Sequence, residues 1–283
     1  EKKNPYDFAL WIKAPENHLM KWDSPWGPSY PGWHIECSAM SRKHLGEQFD
    51  IHTGGIDLVP THHENEIAQS KGVCGKIPAN YWIHGEYLLI NGGKMSKSLG
   101  NVYLLKDIEE KGYDPLVYRL LCYTCSYRNK LNFTWEGIES TSKSLARLRN
   151  GYQQNKIGKD TLNEEDRKEL DRLETEFHKA INDDMNMPLA MSYVWEVIKY
   201  DKKSPEIANL LLKFDTVLGI KIDKKEEKNN DLKIPEEVLE LVEERKKARQ
   251  EKNWTESDRL RDEIQNLGYS VKDTKDGVEI LKN

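Results

Sequence analysis

Short apolar runs between turn residues dominate the chain up to about residue 133. Alternating apolar and polar positions predict three strands, in the stretches GWHIEC (32–37), FDIHTGG (49–55) and YWIHGEYLLI (81–90). Helical spacing predicts two helices between them, in SAMSRKHLG (38–46) and HHENEIAQSKGV (62–73). Because strand and helix alternate, residues 1–133 are predicted to adopt an α/β fold with a mainly parallel sheet.

From residue 134 the fold is predicted to become all-α, with a helix bundle over residues 134–220. One stripe at i, i+3, i+7 and i+11 has the pattern of a buried helix face and consists of Leu170, Leu173, Phe177 and Ile181. The charged run 221–233 is predicted to be a solvated linker, since it has little to bury. Residues 234–283 are predicted to form a small separate domain, a helical hairpin with a short β-like ending.

Composition excludes several classes of protein. The chain has 283 residues, 37% apolar and 32% charged, as expected for a soluble globular protein of about two domains. It contains no apolar run of about 18 residues, so no membrane association is expected. Its first residues lack the apolar core of a signal peptide, which makes the cytoplasm the expected compartment. The net charge of −5 argues against a generally basic coat but allows local basic faces.

The best candidate for a metal site combines Cys37 with His62 and Glu66. His62 and Glu66 are four residues apart, so on a helix they lie on the same side, one turn apart. A thiolate at a strand end, together with an imidazole and a carboxylate, is a plausible set of zinc ligands. A satisfied core histidine beside a free buried cysteine is the alternative, and the spacing does not decide between them.

Two further stretches carry candidate chemistry. Gly54 and Gly55 allow a ligand to approach the backbone at a strand end, and Asp57 beyond them can accept hydrogen bonds from a ribose. The glycine-flanked loop GGKMSKSLGN (92–101) carries Lys94 and Lys97, whose charges suit a triphosphate. An ordinary turn and a solvated loop are the alternatives.

These motifs together resemble a known family. The stretch KMSKS (94–98) resembles the second signature of class I aminoacyl-tRNA synthetases, while GWHIECSAM, DIHTGG and HHENEIAQS resemble cysteinyl-tRNA synthetases specifically. The resemblance continues through LNFT (131–134) and DDMNMPLA (183–190) to residues 248–277. It implies the second half of a class I nucleotide-binding, Rossmann-like catalytic domain, then a helix bundle that contacts the tRNA stem and a C-terminal anticodon-binding domain. The first signature, His-Ile-Gly-His, and a fourth zinc ligand are expected before Glu1.

The resemblance also implies roles for residues. Cys37, His62 and Glu66 match three of the four ligands of one zinc ion per chain, and Trp33 and His52 match positions that line the amino-acid pocket. Lys94 and Lys97 match the catalytic lysines, and Asp57 and Lys97 match residues that contact ATP. The implied reaction uses L-cysteine, ATP with Mg²⁺ and tRNA(Cys), and the family is usually monomeric.

A basic helical face is the candidate for tRNA contact. Arg245, Arg249 and Lys252 lie at i, i+4 and i+7. A solvated face is the simpler interpretation, but the resemblance favours anticodon contact. Trp254 either stacks on a base or packs the hairpin. Two other functions stay open: a ligase that joins cysteine to an amino sugar, and a non-catalytic tRNA-binding fragment, since this chain alone is expected to be inactive.

Overall fold

The computed structural model describes residues 2–225, 235–251, 253–274 and 277–282. The chain divides into two compact units, residues 1–225 and 226–283. The elements of the first unit are β1 (Trp11–Lys13), β2 (Ser29–Pro31), α1 (Trp33–Leu45), β3 (Phe49–Gly55), α2 (Glu64–Cys74), β4 (Ala79–Gly85), β5 (Leu88–Ile90), β6 (Gly93–Lys94), α3 (Leu105–Glu110), α4 (Leu116–Cys122), β7 (Leu131–Phe133), α5 (Trp135–Lys156), α6 (Glu164–Asn182), α7 (Met187–Ile198) and α8 (Pro205–Leu218). The order, α/β followed by all-α, is the predicted one.

Among the described residues of the first unit, two strand pairings are parallel and two are antiparallel, so the predicted mainly parallel sheet is not formed. β3 and β4 pair in parallel from Phe49 opposite Ala79 to Gly55 opposite Gly85, with α2 as the crossover. β5 pairs in parallel with β7 and antiparallel with β6, and β1 pairs antiparallel with β2. Among the described residues these are separate small sheets. The predicted strand 81–90 is divided between β4 and β5, because the Glu86 amide turns away to the carbonyl of Tyr127.

The predicted strand at 32–37 is wrong, because Trp33 already begins α1. Gly32 is its extended N-cap residue and donates its amide to the carbonyl of Leu10. A Cβ at Gly32 would lie 2.3 Å from the carbonyl oxygen of Ala9, so only glycine fits this entry to the helix. A short apolar run fits both the two-residue period of a strand and the 3.6-residue period of a helix. Trp33 and Cys37 are also one helical turn apart. Cys37 is therefore a helix residue and not a strand end.

One buried cluster joins the end of the α/β region to the bundle, from Ile90 to Ile222. Leu170, Leu173 and Phe177 of the predicted stripe are buried, and Phe177 stacks on Phe214 of α8 with ring centroids 4.2 Å apart. The cluster crosses the predicted division at 133/134. It also includes Ile222, so the predicted linker does not begin at 221, and its residues 226–233 lie outside the described part of the chain.

The second unit contains α9 (Glu236–Gln250), α10 (Trp254–Asn266), β8 (Tyr269–Thr274) and β9 (Gly277–Lys282). This is the predicted helical hairpin with a β ending, since β8 and β9 pair antiparallel. Its core consists of Val238, Val242, Ile264 and Tyr269. Across the described residues of both units, no helix has the length and apolar character needed to cross a membrane.

Candidate functional site

The three predicted metal ligands converge on one spot in the first unit. Cys37 lies in α1, Glu66 in the first turn of α2, and His62 in the π-helical turn Val59–His63 that leads into α2. One ligand atom from each side chain lies within 4.8 Å of the others. A hydrogen bond from the Ser38 hydroxyl to Gln69 ties α1 to α2 beside the cluster. Cys37, His62 and Glu66 are thus brought together by α1, α2 and the π-helical turn that leads into α2.

Hydrogen bonds fix both side chains of the His62–Glu66 pair. Nε2 of His62 is 3.0 Å from Oε1 of Glu66, and Nδ1 of His62 is 2.9 Å from Nδ1 of His34. Both oxygens of Glu66 also lie 3.2 Å from Nε2 of His52. Glu66 is only 2% exposed, so its carboxylate is held between two imidazoles away from water.

The environment of the cluster favours the neutral forms of Cys37 and His34. Burial, followed by the charges of Glu66 and Glu36, raises the pKa of the Cys37 thiol. Burial, followed by the charge of His62, lowers the pKa of His34, although Glu66 opposes this. A cation would therefore displace a proton from Cys37 in order to bind its thiolate.

The donor set fits zinc. Sulfur, imidazole nitrogen and carboxylate oxygen are its usual ligands, and the three side chains can supply three of the four positions of a tetrahedral zinc site. His34 stands behind His62, where an outer hydrogen-bond partner orients a metal-binding imidazole. The Trp33 ring packs against His62 with centroids 4.2 Å apart while 59% of Trp33 stays exposed.

Sequence reasoning missed a second cluster beside the first. His52, His63 and Glu66 also have ligand atoms within 4.8 Å of one another. Nδ1 of His63 is 2.8 Å from Nε2 of His84 at the end of β4. Burial and then the neighbouring histidines His52, His84 and His62 lower the pKa of His63 to about 4. The repeated histidines were visible in the sequence, but only the pairing of β3 with β4 brings His84 to His63.

Gly54 and Gly55, predicted to admit a ligand to the backbone, are approached by side chains of this chain. A Cβ at Gly54 would lie 2.7 Å from Cε1 of His63 and 2.8 Å from Cδ1 of Leu58. A Cβ at Gly55 would lie 2.4 Å from Oδ1 of Asp57, which is exposed in the 3₁₀ turn Ile56–Leu58. The packing therefore accounts for glycine at position 54, whereas the exposed Asp57 side chain can move away from a side chain at position 55. A nucleotide contact here stays a prediction.

The two lysines of the glycine-flanked loop are exposed. Lys94 ends β6, and Lys97 begins the 3₁₀ turn Lys97–Leu99. Asn91 and Gly92, with φ of 50° and 78°, form the two-residue turn that joins β5 to β6. Among the described residues, neither ammonium group has a carboxylate within ion-pair distance. Both charges thus face solvent.

The predicted basic face of the second unit holds only in part. Arg245 is 4% exposed and lies on the buried stripe of α9 with Val238 and Val242, at helical spacing. It is therefore not a residue of an exposed face. Arg249 is exposed, with its guanidinium carbon 5.8 Å from the ring centre of Trp254, which is itself 58% exposed. Lys252 lies outside the described residues.

Comparisons with known proteins show the family of the chain. Residues 1–143 match the family model of the class I (C) tRNA synthetase catalytic domain, and residues 231–280 match that of the cysteinyl-tRNA ligase anticodon binding domain. Cysteine–tRNA ligase 1 of Burkholderia lata is 41% identical over 283 residues, covering 99% of this chain and 58% of the relative. Cysteine–tRNA ligase of Treponema denticola is 41% identical over 300 residues, covering 96% of this chain and 61% of the relative.

A solved structure supports the fold. The ternary complex of Agrobacterium radiobacter K84 agnB2 LeuRS with tRNA and LeuAMS aligns with 71% of this chain and 32% of its own, with a TM-score of 0.52 at 15% identity. Such low identity shows the fold alone. The two family models, by contrast, match separate regions of the chain, one for catalysis and one for anticodon binding. The chain therefore belongs to the cysteine–tRNA ligase family of class I tRNA synthetases.

Proposed function

We propose that this chain is part of a cysteine–tRNA ligase that activates L-cysteine with ATP and transfers it to tRNA(Cys). The observation that carries the proposal is the convergence of Cys37, His62 and Glu66 within 4.8 Å, in a chain of this family. Because the chain spans only about 60% of the length of its relatives, the activity is assigned to the protein that contains it.

Zinc at this cluster explains how cysteine is selected. Cysteine and serine differ by one atom, and an apolar pocket rejects such a close analogue by only about 100-fold. A zinc ion held by Cys37, His62 and Glu66 would supply a soft Lewis acid that binds a thiolate in preference to a hydroxyl. Glu66 and His62 keep each other in place by their 3.0 Å contact, and His34 orients His62 from the other side. Trp33 and His52, which adjoin His62 and Glu66, form the wall of the amino-acid pocket.

The exposed lysines suit adenylate formation. In this step the carboxylate of cysteine attacks the α-phosphate of ATP, and pyrophosphate leaves with the electron pair of the broken P–O bond. Lys94 and Lys97 neutralise the charge that develops on the leaving group, which lowers the barrier because the interaction strengthens in the transition state. Mg²⁺ accompanies ATP, and Asp57 with Gly54 and Gly55 holds the nucleoside. No side-chain nucleophile is required, so positioning and electrostatics carry the step.

The second step involves both units of the chain. A ribose hydroxyl at the end of tRNA(Cys) attacks the carbonyl carbon of the adenylate, and AMP leaves. The bundle α5–α8 contacts the tRNA stem, and the second unit contacts the anticodon through Arg249 and Trp254. A guanidinium over an exposed aromatic ring offers both charge and a stacking surface to nucleotides. The protein is proposed to act as a cytoplasmic monomer.

The test is aminoacylation by the full-length protein. With cysteine, ATP and tRNA(Cys), cysteinyl-tRNA is expected to form, and serine should not replace cysteine. Failure to charge tRNA contradicts the proposal, and transfer of cysteine to an amino sugar instead identifies the alternative ligase. The match of residues 231–280 to an anticodon-binding domain favours tRNA. We expect the 283 residues alone to bind tRNA without pyrophosphate exchange, since the His-Ile-Gly-His motif is not among them.

A further inference from the structure

One side chain joins the two ends of the loop that carries the two lysines. We call this junction of Asn101 with Lys94 and Ser96 the neck of the loop. Nδ2 of Asn101 donates to the carbonyl of Lys94 at 2.9 Å, and Oδ1 of Asn101 accepts from the amide of Ser96 at 2.8 Å. One carboxamide therefore joins the residue that leaves the loop to two residues near its start. The two partners fix the orientation of the Asn101 carboxamide. The Lys94 carbonyl can only accept a hydrogen bond, so it faces Nδ2, and the Ser96 amide can only donate one, so it faces Oδ1.

The backbone between these residues is shaped to bring Asn101 back. Lys97–Leu99 form a single 3₁₀ turn, and Gly100 follows in the left-handed conformation with φ of 63°. Glycine reaches this conformation without strain, so the chain reverses there and returns Asn101 to the neck. The hydroxyl groups of Ser96 and Ser98 also lie 2.7 Å apart, which holds the two sides of the turn together.

A second contact fastens the same loop to the core. Met95, between the two lysines, packs against the main buried cluster. It lines a cavity of about 130 Å³ with apolar side chains that include Leu88, Ile90, Tyr103 and Phe133. Lys94 and Lys97 stay exposed on either side of it. The loop thus has a buried anchor and a tied neck, while its charged groups face outwards.

We propose that Asn101 is a positioning residue for adenylate formation, an inference that rests on the proposed function. Its carboxamide fixes the path of the backbone from Lys94 to Lys97, and with it the separation of the two ammonium groups that meet the leaving pyrophosphate. The role acts through the backbone, and Asn101 need not touch the nucleotide. Asparagine suits this position because the neck needs one donor and one acceptor on the same short side chain.

Amide hydrogen exchange on the 283-residue chain tests the neck directly. In Asn101→Ala the Ser96 amide loses its acceptor, and its exchange should become about tenfold faster. In Asn101→Asp the acceptor remains, so exchange at Ser96 should stay slow although the bond to Lys94 is lost. Asn163→Ala is the matched control: Asn163 caps α6 by accepting from the Asp166 amide at 2.8 Å, far along the chain from the loop. Unchanged exchange at Ser96 in Asn101→Ala, relative to this control, overturns the proposal.

Kinetics of the full-length protein test the positioning role. Asn101→Ala should lower kcat for cysteine-dependent pyrophosphate exchange by about 100-fold, the scale of a misplacement of about 1 Å, with KM for cysteine unchanged. Asn101→Asp should lower kcat by less, and Asn163→Ala should leave it unchanged. A rise in KM for cysteine without a fall in kcat, or no effect, overturns the role. If the wild-type protein shows no exchange, the proposed function fails, and the positioning role that rests on it falls with it.

Discussion

Gly54 lies directly against the imidazole of His63, so close that a Cβ at position 54 would be 2.7 Å from Cε1 and 2.9 Å from Nε2 of that ring. The contact joins the end of β3 to the turn that leads into α2, beside the cluster of Cys37, His62 and Glu66. The absence of a side chain at 54 therefore helps to set where α2 begins, and with it the position of two of the three candidate ligands.

The first prediction concerns this contact. Gly54→Ala should destabilise the protein by about 2 kcal/mol, because the added methyl group meets His63 and Leu58 in a packed region. Urea unfolding followed by circular dichroism measures the change. Gly72→Ala is the matched control, since Gly72 lies within α2 and a Cβ there meets nothing within 4 Å. It should stabilise the protein by about 0.5 kcal/mol through helix propensity. Equal effects of the two substitutions would contradict the packing argument.

Much of the fold was predictable from the sequence where the spacing of apolar residues fitted either a helix or a strand, and not both. The stripe of Leu170, Leu173 and Phe177 and the strand at 49–55 were recognisable because their apolar positions fit a single periodicity. The start of α1 was not, since GWHIEC fits both periods and Gly32 could not be identified as a helix cap from its type alone. The start of α1 is set by contacts of Gly32 with Ala9 and Leu10, which are distant in sequence from α1.

The site was predictable for residues on one helix and not for those that tertiary packing adds. His62 and Glu66 were found from their spacing, and Cys37 was added as a thiolate ligand because sulfur, imidazole and carboxylate together suit zinc. The partners His34 and His84 come from separate elements and could not be paired from spacing. Arg245 was placed on the basic face by its charge, but it is buried on the apolar stripe of Val238 and Val242. Periodicity alone would have placed it inside.

Metal content tests the candidate zinc site. The intact protein should bind about one zinc ion per chain, and Cys37→Ala should lose it because the thiolate of the candidate site is removed. Cys74→Ala is the control, since Cys74 lies at the other end of α2 and contacts Ser70. Because the pKa of Cys37 is raised, binding releases a proton, and zinc affinity should fall as pH is lowered. Elemental analysis after dialysis gives the stoichiometry. An unchanged zinc content in Cys37→Ala would remove the assignment.

Transition-state stabilisation by the loop predicts a specific kinetic pattern. In the full-length protein, Lys97→Ala should lower the rate of adenylate formation by about 100-fold, with little change in affinity for cysteine. Lys106→Ala is the control, because Lys106 is an exposed lysine of α3 that pairs with Glu110. Pyrophosphate exchange at saturating and limiting cysteine separates the two effects. A loss of cysteine affinity with an unchanged rate would show that the loop does not act on the transition state.

Acid should weaken the ion pair between Asp114, before α4, and Arg149 of α5. Nη1 of Arg149, which is 2% exposed, lies 3.0 Å from Oδ2 of Asp114, and Lys224 also donates to that oxygen. Burial alone would raise the pKa of Asp114, but hydrogen bonds from the Leu116 amide, Lys224 and Arg149 hold it below its ordinary value of 3.8. A carboxyl whose pKa is lowered by folding contributes stability above the unfolded pKa, and this contribution is lost as pH falls through the folded pKa.

Asp114→Asn should therefore cost about 3 kcal/mol of unfolding free energy at pH 7, since Arg149 loses its charged partner. The difference from the wild-type protein should shrink as pH falls below 3.8. Urea unfolding between pH 7 and pH 3 measures both quantities. Asp171→Asn, which changes an exposed aspartate of α6, should have little effect at any pH. A difference that stays constant down to pH 3 would mean that the Asp114 charge contributes nothing.

Substitution of the two arginines of α9 should affect different properties: tRNA binding for Arg249 and stability for Arg245. Arg249→Ala should weaken tRNA binding several-fold, because an exposed cation over Trp254 is lost. The slope of log K against log salt concentration should become shallower by about one. Its unfolding free energy should change by less than about 0.5 kcal/mol. Arg245→Ala should instead lower stability by about 2 kcal/mol, since a buried side chain is truncated.

Filter binding with tRNA(Cys) at several salt concentrations, beside urea unfolding of each variant, separates these effects. Arg259→Ala is the charge-matched control, because Glu256 and Glu263 already hold that guanidinium at 2.7 Å. Its removal should leave both affinity and salt dependence close to wild type. If Arg249→Ala binds tRNA(Cys) as tightly as the Arg259 control, the exposed pair of Arg249 and Trp254 is not part of the tRNA surface.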